Sequence, residues 1–159
     1  MHFRRENRSP VTLDQMFEHF KAFINIKPTY QYKIIIGTDS MVLGNNTRYI
    51  TAVTLQRIGN GAVIFYNAIV KAKAPMLTRI MHEVNYTIEM ANQIIIPKCL
   101  DENLYYPIEI HIDVGNRGES HAFQSMAIGY VKGCGFDEKV IKIKPDAYGA
   151  SNIADRYTR

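Results

Sequence analysis

Apolar residues recur at helical spacing near the start of the chain. Between positions 11 and 26 they fall three or four residues apart, and Thr12 and Gln15 have the spacing of a helix capping box. Pro28 cannot continue a helix, so the pattern predicts one N-terminal helix over residues 11–27. Residues 1–10 are charged and show no apolar period, and we expect them to be flexible.

Three extended segments follow this helix. Tyr32–Asp39 is aliphatic and β-branched, as in a strand that is buried on both faces, and the next extended segments are Arg48–Ile58 and Ala62–Val70. Gly44-Asn45-Asn46 separates the first two segments, and Asn60-Gly61 supplies a tight turn between the last two. The pattern therefore predicts an antiparallel meander of three strands.

The second half of the chain alternates between helical and extended patterns. A long apolar stripe over Met76–Ile96 indicates a helix that ends before Pro97. Ile108–Val114 alternates strictly between apolar and polar residues, as a strand does. A helix from near Ser120, which stops at Gly133, a strand over Lys139–Lys144 and a terminal helix complete the pattern.

This order of elements predicts an α/β fold with one mixed sheet. The meander would supply three antiparallel strands, and two βα units would supply the others, with the N-terminal helix as an addition. With 159 residues, of which 47% are hydrophobic, the chain can form one domain with its own core. No repeat or linker divides the sequence, so we predict a single domain over residues 1–159.

Composition narrows the class of protein without selecting a function. The two cysteines, Cys99 and Cys134, lie far apart and match no zinc or redox motif, which favours reduced thiols. No apolar run is long enough for a signal peptide or a membrane span, so we expect a cytoplasmic protein with no membrane partner. The net charge of +4 is compatible with a polyanionic partner such as nucleic acid.

Two aspartates stand at the ends of the predicted core strands. Asp39 follows an aliphatic run, and Asp113 follows Ile110 and Ile112 in the alternating strand. An ionised carboxylate at such a position is costly to bury unless a cation or hydrogen-bond donors compensate its charge. For either residue alone, capping of a loop is an equal alternative. Together the two aspartates predict a metal site, because Mg²⁺ and Mn²⁺ prefer oxygen ligands.

Helical geometry separates two glutamates of the long central helix. Glu83 borders the apolar stripe, whereas Glu89 lies on the opposite side, which is normally solvated. We therefore choose Glu83 as a candidate ligand, although an ordinary glutamate at the border of a buried face has the same position. Near the C-terminus, Asp155 falls in the first turns of the predicted last helix, where a carboxylate also stabilises the helix dipole. Asp146 could serve equally or shape a turn.

Other chemistry-bearing residues receive weaker interpretations. His111 shares a strand face with Glu109 and Asp113, a spacing that could form a mononuclear metal site, but no second histidine is close in the sequence. Basic residues near the two ends could contact phosphates if the fold brings them to the acidic residues. These basic residues are Arg4, Arg5, Arg8, Lys142, Lys144, Arg156 and Arg159.

The acidic residues occur in a familiar order. Gly37-Thr38-Asp39-Ser40 on a strand, Glu83 on a helix, Asp113 on a strand and Asn152-Ile153-Ala154-Asp155 resemble the acidic set of ribonuclease H. From about residue 33 onwards the chain resembles the ribonuclease H-like superfamily. It is similar to the predicted ribonuclease H-related YkuK-type family in the Gly-Thr-Asp-Ser strand end and the terminal Ala-Asp helix. It departs from ribonuclease H in its extra N-terminal helix and in Asp146, near where a histidine usually lies.

The resemblance implies a ribonuclease H-like fold and a nuclease that depends on Mg²⁺ or Mn²⁺. Asp39 would bridge two metal ions, Glu83 and Asp113 would complete one coordination shell, and Asp155 would hold the second ion. Water would attack a phosphodiester of DNA, RNA or a hybrid. Two alternatives stay open, namely a non-catalytic nucleic-acid-binding domain whose acids are structural and a phosphohydrolase that acts on nucleotides.

Overall fold

The computed structural model describes residues 1–6, 8–114 and 122–143 of the chain. The helices are α1 (Leu13–Ile26), α2 (Met76–Glu89), α3 (Ile96–Asp101) and α4 (Gln124–Gly133). The strands are β1 (Tyr32–Leu43), β2 (Asn46–Arg57), β3 (Ala62–Ala72), β4 (Ile108–Ile112) and β5 (Ile141–Ile143). The predicted terminal helix with Asp155, and Asp146 before it, lie outside the described residues.

The five strands form one mixed sheet in the order β3-β2-β1-β4-β5. β1 pairs antiparallel with β2, and β2 pairs antiparallel with β3, so the predicted meander is confirmed. β4 and β5 then add in parallel on the other side of β1. The predicted α/β class, with a mixed sheet and an N-terminal helix, is therefore confirmed. None of the described helices is of the length and apolarity that crossing a bilayer requires.

Helix α1 begins and ends as the sequence indicates. The Thr12 side chain accepts a hydrogen bond from the Gln15 amide, and the Gln15 side chain accepts one from the Thr12 amide, which is the predicted capping box. The helix ends at Ile26, before Pro28. Its buried side places Phe20 against Phe65 of β3, with 5.8 Å between the ring centroids.

The first residues of the chain, expected to be flexible, are attached to the fold. Phe3 is fully buried in the core, and it forms a β-bridge with Val11. The Arg4 amide donates to the Tyr66 carbonyl oxygen at 2.8 Å, and the Tyr66 amide donates back at 2.9 Å. The expectation rested on the charges of this segment and overlooked the apolar surface that one phenylalanine buries.

The central helix runs further than the sequence predicts. α2 passes into a π-helical segment, Met90–Ile95, and then into α3, which begins at Ile96. The prediction that the helix ends before Pro97 is wrong. Pro97 stands in the first turn of α3. Amide hydrogens contribute little to helical hydrogen bonding at this position, so a proline, which has none, is tolerated.

Two strand boundaries also differ from the sequence-based expectation. The turn between β2 and β3 spans four residues, 58–61, rather than the tight Asn60-Gly61 turn, and Gly59 and Gly61 have φ angles of 78° and 92° that favour glycine. β1 continues to Leu43, so Asp39 lies within the strand and pairs with Ile50 of β2 instead of ending the strand.

The two faces of the sheet carry different residues. On one face, Ile34 and Ile36 of β1 and Ile110 of β4 belong to the hydrophobic core that also contains residues of α1, α2 and α4. Because side chains alternate along a strand, the residues between them project to the other face. That second face carries polar and charged residues of β1 and β4, namely Lys33, Asp39, Glu109, His111 and Asp113.

Candidate active site

Asp39 and Asp113 lie side by side at the place where β1 and β4 separate. The parallel register ends with Thr38 of β1 opposite Ile112 of β4; Asp39 is the next residue of β1, and Asp113 is the first residue after β4. Neighbouring strands are about 4.8 Å apart, so the two half-buried carboxylates occupy equivalent, adjacent positions on the second face. The structure thus brings together two of the residues that the sequence predicts as ligands.

Asp39 is held by its own strand. The Ser40 amide donates a hydrogen bond to Asp39 Oδ1 at 2.8 Å. A hydrogen bond of this kind fixes the direction of the carboxylate. The next side chain along the strand, that of Ser40, projects to the opposite face of the sheet, towards α2.

Glu83 reaches the same region from α2. Its carboxylate accepts a hydrogen bond from the Ser40 hydroxyl, which joins the helix to the strand beside Asp39. Burial raises the pKa of Glu83 to about 8, and the negative charges of Asp39 and Asp113 raise it further, against the opposing effects of Ser40 and Arg79. The three carboxyl groups are therefore close enough for the charges of Asp39 and Asp113 to act on Glu83.

A chain of hydroxyl groups fixes α2 against the sheet one turn beyond Glu83. Thr87 Oγ1 lies 2.8 Å from Thr38 Oγ1 and 2.8 Å from the Glu83 carbonyl oxygen, and Thr38 Oγ1 lies 2.8 Å from Thr51 Oγ1. All three threonines are buried. Because buried hydroxyls without partners are costly, this chain favours the observed position of the helix on the sheet, together with the apolar packing of α2.

Arg79 is a residue of the site that sequence reasoning missed. It stands one helical turn before Glu83, and its positive charge opposes the rise in the pKa of that glutamate. Its buried Nε has no hydrogen-bond partner within the described part of the chain. The available signal was the spacing of four residues between Arg79 and Glu83, which places the two side chains on one side of a helix.

His111 has a structural partner. Its Nε2 lies 3.1 Å from Glu109 Oε1, and Lys33 Nζ lies 2.9 Å from Glu109 Oε2. The imidazole is buried, and burial lowers the pKa of His111. The neutral ring is thus part of a Lys33-Glu109-His111 network beside Asp113.

The donor set fits a hard divalent cation in its chemistry. All three described candidates are carboxylates, and burying Glu83 among other negative charges is unfavourable unless a proton or a cation compensates its charge. No group of three or more His, Cys, Asp or Glu side chains is spaced for metal binding over residues 1–6, 8–114 and 122–143. Within these ranges Asp39, Glu83 and Asp113 are therefore not a metal-binding group by themselves. Asp146 and Asp155 lie outside these ranges.

Comparison with known proteins supplies the family. A family model described as ribonuclease H-like matches residues 15–159. The chain belongs to this ribonuclease H-like family. It is also similar to the uncharacterized protein YkuK of Bacillus subtilis (strain 168), at 28% identity over 169 residues, covering 99% of this chain and 96% of YkuK. The predicted relationship to the ribonuclease H-like superfamily and its YkuK-type family is confirmed.

Membership in the family indicates a broad class of function. The ribonuclease H-like fold is associated with nuclease-type or other nucleic-acid-related functions, and its members typically use divalent metal ions. The match begins at residue 15, so it includes most of α1 together with the whole sheet and the three carboxylates described above.

Proposed function

We propose that this protein is a metal-dependent nuclease that hydrolyses phosphodiester bonds in nucleic acid. The observation that carries the proposal is the raised pKa of Glu83, a buried carboxyl group that hydrogen-bonds to the neighbour of Asp39 and senses the charges of Asp39 and Asp113. A buried acidic group with a strongly shifted pKa beside other acids is a frequent mark of a functional site.

Asp39, Glu83 and Asp113 are the proposed ligands in the described part of the chain. Asp155 is the proposed fourth ligand, and Asp146 is the alternative to it. Mg²⁺ or Mn²⁺ held by these groups would supply a water of lowered pKa and offset the charge on the attacked phosphate. The side chains of this set then serve as hard oxygen donors, and no covalent intermediate with the protein is needed.

The surrounding residues have separate roles in this proposal. Ser40 donates to Glu83 and so directs the glutamate towards Asp39. Glu83 would hold a bound cation as the ionised carboxylate, because positive charge lowers the pKa of a carboxyl group. Arg79 has a donor without a partner in the described residues and is suited to contact an oxygen of the phosphate.

The test is cleavage of a labelled panel of single-stranded, duplex, hybrid and branched DNA and RNA, with Mg²⁺ or Mn²⁺. We expect metal-dependent products that are lost in Asp39→Asn and Asp113→Asn. Glu89→Gln is the matched control, because Glu89 is exposed and belongs to the same helix as Glu83. Products that persist in both aspartate variants would show that the nuclease activity does not use this site.

A second candidate is a nucleic-acid-binding domain without catalytic activity. It is favoured by the absence of a three-residue metal group among the residues that the structure describes. In that case Asp39→Asn would leave the affinity for nucleic acid unchanged, and addition or removal of metal would have no effect. Hydrolysis of free nucleotides by the wild-type protein, without cleavage of polymers, would instead indicate a phosphohydrolase acting on nucleotides.

We also propose that the protein works in a reducing, cytoplasmic compartment. Both cysteines are free thiols in the structure, and burial raises the pKa of Cys99 to about 11, so this thiol is poorly reactive. Titration of thiols in protein isolated without reductant should find two. A single disulfide in that material would contradict the proposal.

A further inference from the structure

A groove with a volume of about 630 Å³ lies along β3 and the first residues of the chain. Arg4, Arg48 and Tyr66 line it together with the exposed aliphatic side chains of Leu43 and Val70. Its volume lies within the range of about 300–1,000 Å³ that is usual for ligand pockets. The groove contains none of the three described carboxylates of the candidate active site.

The strand register places this groove next to Asp39. Asp39 of β1 pairs with Ile50 of β2, and Arg48 is two residues from Ile50 on β2. Residues two apart on a strand project to the same face, so Arg48 shares the second face of the sheet with Asp39. Such diagonal neighbours lie about 7–8 Å apart, within reach of an arginine side chain.

The groove carries positive charge that the described part of the protein does not neutralise. No carboxylate is among its described lining residues. Neither guanidinium group, of Arg4 or of Arg48, forms an ion pair or a hydrogen bond with another described side chain. The two backbone hydrogen bonds between Arg4 and Tyr66 fix the position from which the Arg4 side chain extends. Two arginines without acidic partners, one of them on a fixed backbone, form a preorganised site for phosphates.

The apolar lining distinguishes between forms of nucleic acid. Leu43 is 46% exposed and Val70 is 60% exposed, and the ring of Tyr66 is half-buried beside them. A duplex presents phosphates to such a surface while its bases stay stacked inside. A single strand can place its bases against aliphatic and aromatic side chains while its phosphates meet the arginines.

We propose that this groove binds single-stranded nucleic acid and leads the strand across β2 towards Asp39 and Asp113. The ligand class follows from the two cations, the tyrosine ring and the exposed aliphatic groups. The assignment of the bound strand as a substrate rests on the proposed nuclease function, whereas the binding itself does not.

The test is the affinity for a fluorescent single-stranded oligonucleotide in EDTA, which prevents metal-dependent cleavage. For the double variant Arg4→Ala/Arg48→Ala we expect Kd to rise about 10-fold or more. We also expect the slope of log K against log salt to fall by about 1.4, since each phosphate contact on a single strand contributes about 0.7. A wild-type protein that binds a matched duplex as tightly as the single strand would overturn the assignment to single strands.

Lys71→Ala is the matched control. Lys71 is an exposed lysine that follows Val70 on β3, and its side chain projects to the face of the sheet opposite the groove. Its loss changes the net charge by one unit without touching the groove, so Kd should change less than about twofold. Thermal unfolding should show that all variants fold. Equal weakening by Lys71→Ala, wild-type affinity in the double variant, or no binding by the wild type would each overturn the proposal.

Cleavage measurements separate this proposal from the nuclease proposal. If the wild type binds single strands through the two arginines but cleaves nothing with Mg²⁺ or Mn²⁺, the groove stands and the nuclease function fails. If the wild type cleaves and the double variant has an unchanged KM and kcat, the nuclease function stands and the groove proposal fails. The expected result is a raised KM with little change in kcat, because the two arginines would bind phosphates of the strand equally before and during the reaction.

Discussion

The two faces of the central sheet use the same strands for opposite purposes. On the helix-covered face, Ile34 and Ile36 pack in the hydrophobic core, and the buried Thr38 hydroxyl has partners on two elements. On the second face, Asp39 stands beside Asp113 next to a network that contains His111. The second face also buries the apolar side chains of Ile35 and Ile50, but it differs in holding charged groups whose burial needs compensation.

Glu83 is an exception to this difference between the two faces of the sheet. It extends from a helix on the apolar face, yet its proton affinity depends on charges of the second face. This is possible because Ser40 and Asp39 are consecutive on β1 and project to opposite faces, so the Ser40 hydroxyl meets the glutamate where the β1–β4 pairing has ended. The comparison suggests that function depends on the second face and on Glu83, and stability on the rest of the helix-covered face.

Replacing a carboxylate of the second face should have the largest effect on activity. Asp39→Asn should reduce metal-dependent cleavage about 1,000-fold, which corresponds to about 4 kcal/mol in the activation free energy. The free energy of unfolding should stay the same or rise, since a repulsive charge is removed. Single-turnover cleavage and urea unfolding measure the two quantities. A variant that is strongly destabilised without a specific loss of cleavage would remove the distinction between the faces.

Glu83→Gln should change the pH dependence of stability. The pKa of Glu83 is about 8 in the folded protein and near 4.5 in the unfolded chain, so the folded protein keeps this proton at neutral pH. The stability that the protonated carboxyl contributes is fully present below pH 4.5 and is lost as the pH rises through 8. The loss is at most about 5 kcal/mol.

Urea unfolding in EDTA at pH 5 and pH 9 measures this difference. The wild type should lose stability between the two values, Glu83→Gln should lose much less, and the exposed-site control Glu89→Gln should follow the wild type. Mg²⁺ at pH 8 should stabilise the wild type more than Glu83→Gln. Identical pH profiles for the wild type and Glu83→Gln would contradict the raised pKa.

A core substitution on the helix-covered face should reduce stability alone. Ile36 is fully buried, and Ile36→Ala should lower the free energy of unfolding by about 3 kcal/mol, through lost apolar contact and the cavity that remains. Ile58→Ala is the control, because Ile58 is 45% exposed and its replacement should lower the free energy of unfolding far less. Cleavage per folded molecule should be unchanged in both variants. A specific loss of cleavage in Ile36→Ala would show that the two faces are coupled.

The smallest expected effect concerns the threonine chain. Thr38→Val removes a hydroxyl shared with Thr51 and Thr87, which should lower the free energy of unfolding by about 1 kcal/mol. If the chain positions α2, the shift in the pKa of Glu83 should also become smaller, and the pH dependence of stability reports this. An unchanged pH profile would show that α2 is positioned by apolar packing instead.

Much of the fold follows from local patterns in the sequence. The Thr12–Gln15 capping box, the three extended runs and the alternation of Ile108–Val114 each depend on residues close together in the chain. The same patterns identify Asp39 and Asp113, since an acidic residue in an aliphatic strand is conspicuous without any knowledge of its neighbours. The sequence pattern does not predict that the helix continues past Pro97, because the preceding π-helical segment, Met90–Ile95, has no local signal in the sequence.

The amino-acid sequence by itself determined the order of elements, the mixed α/β class and the carboxylates that merit attention. Only the tertiary structure decided that Asp39 and Asp113 are adjacent, that Glu83 holds its proton near neutral pH, and that Arg4 joins Arg48 in one groove. The physical reason is the separation along the chain over which each effect acts. Periodicity and capping act over a few residues, whereas register, burial and charge depend on segments that are distant in the chain and meet only when the sheet forms.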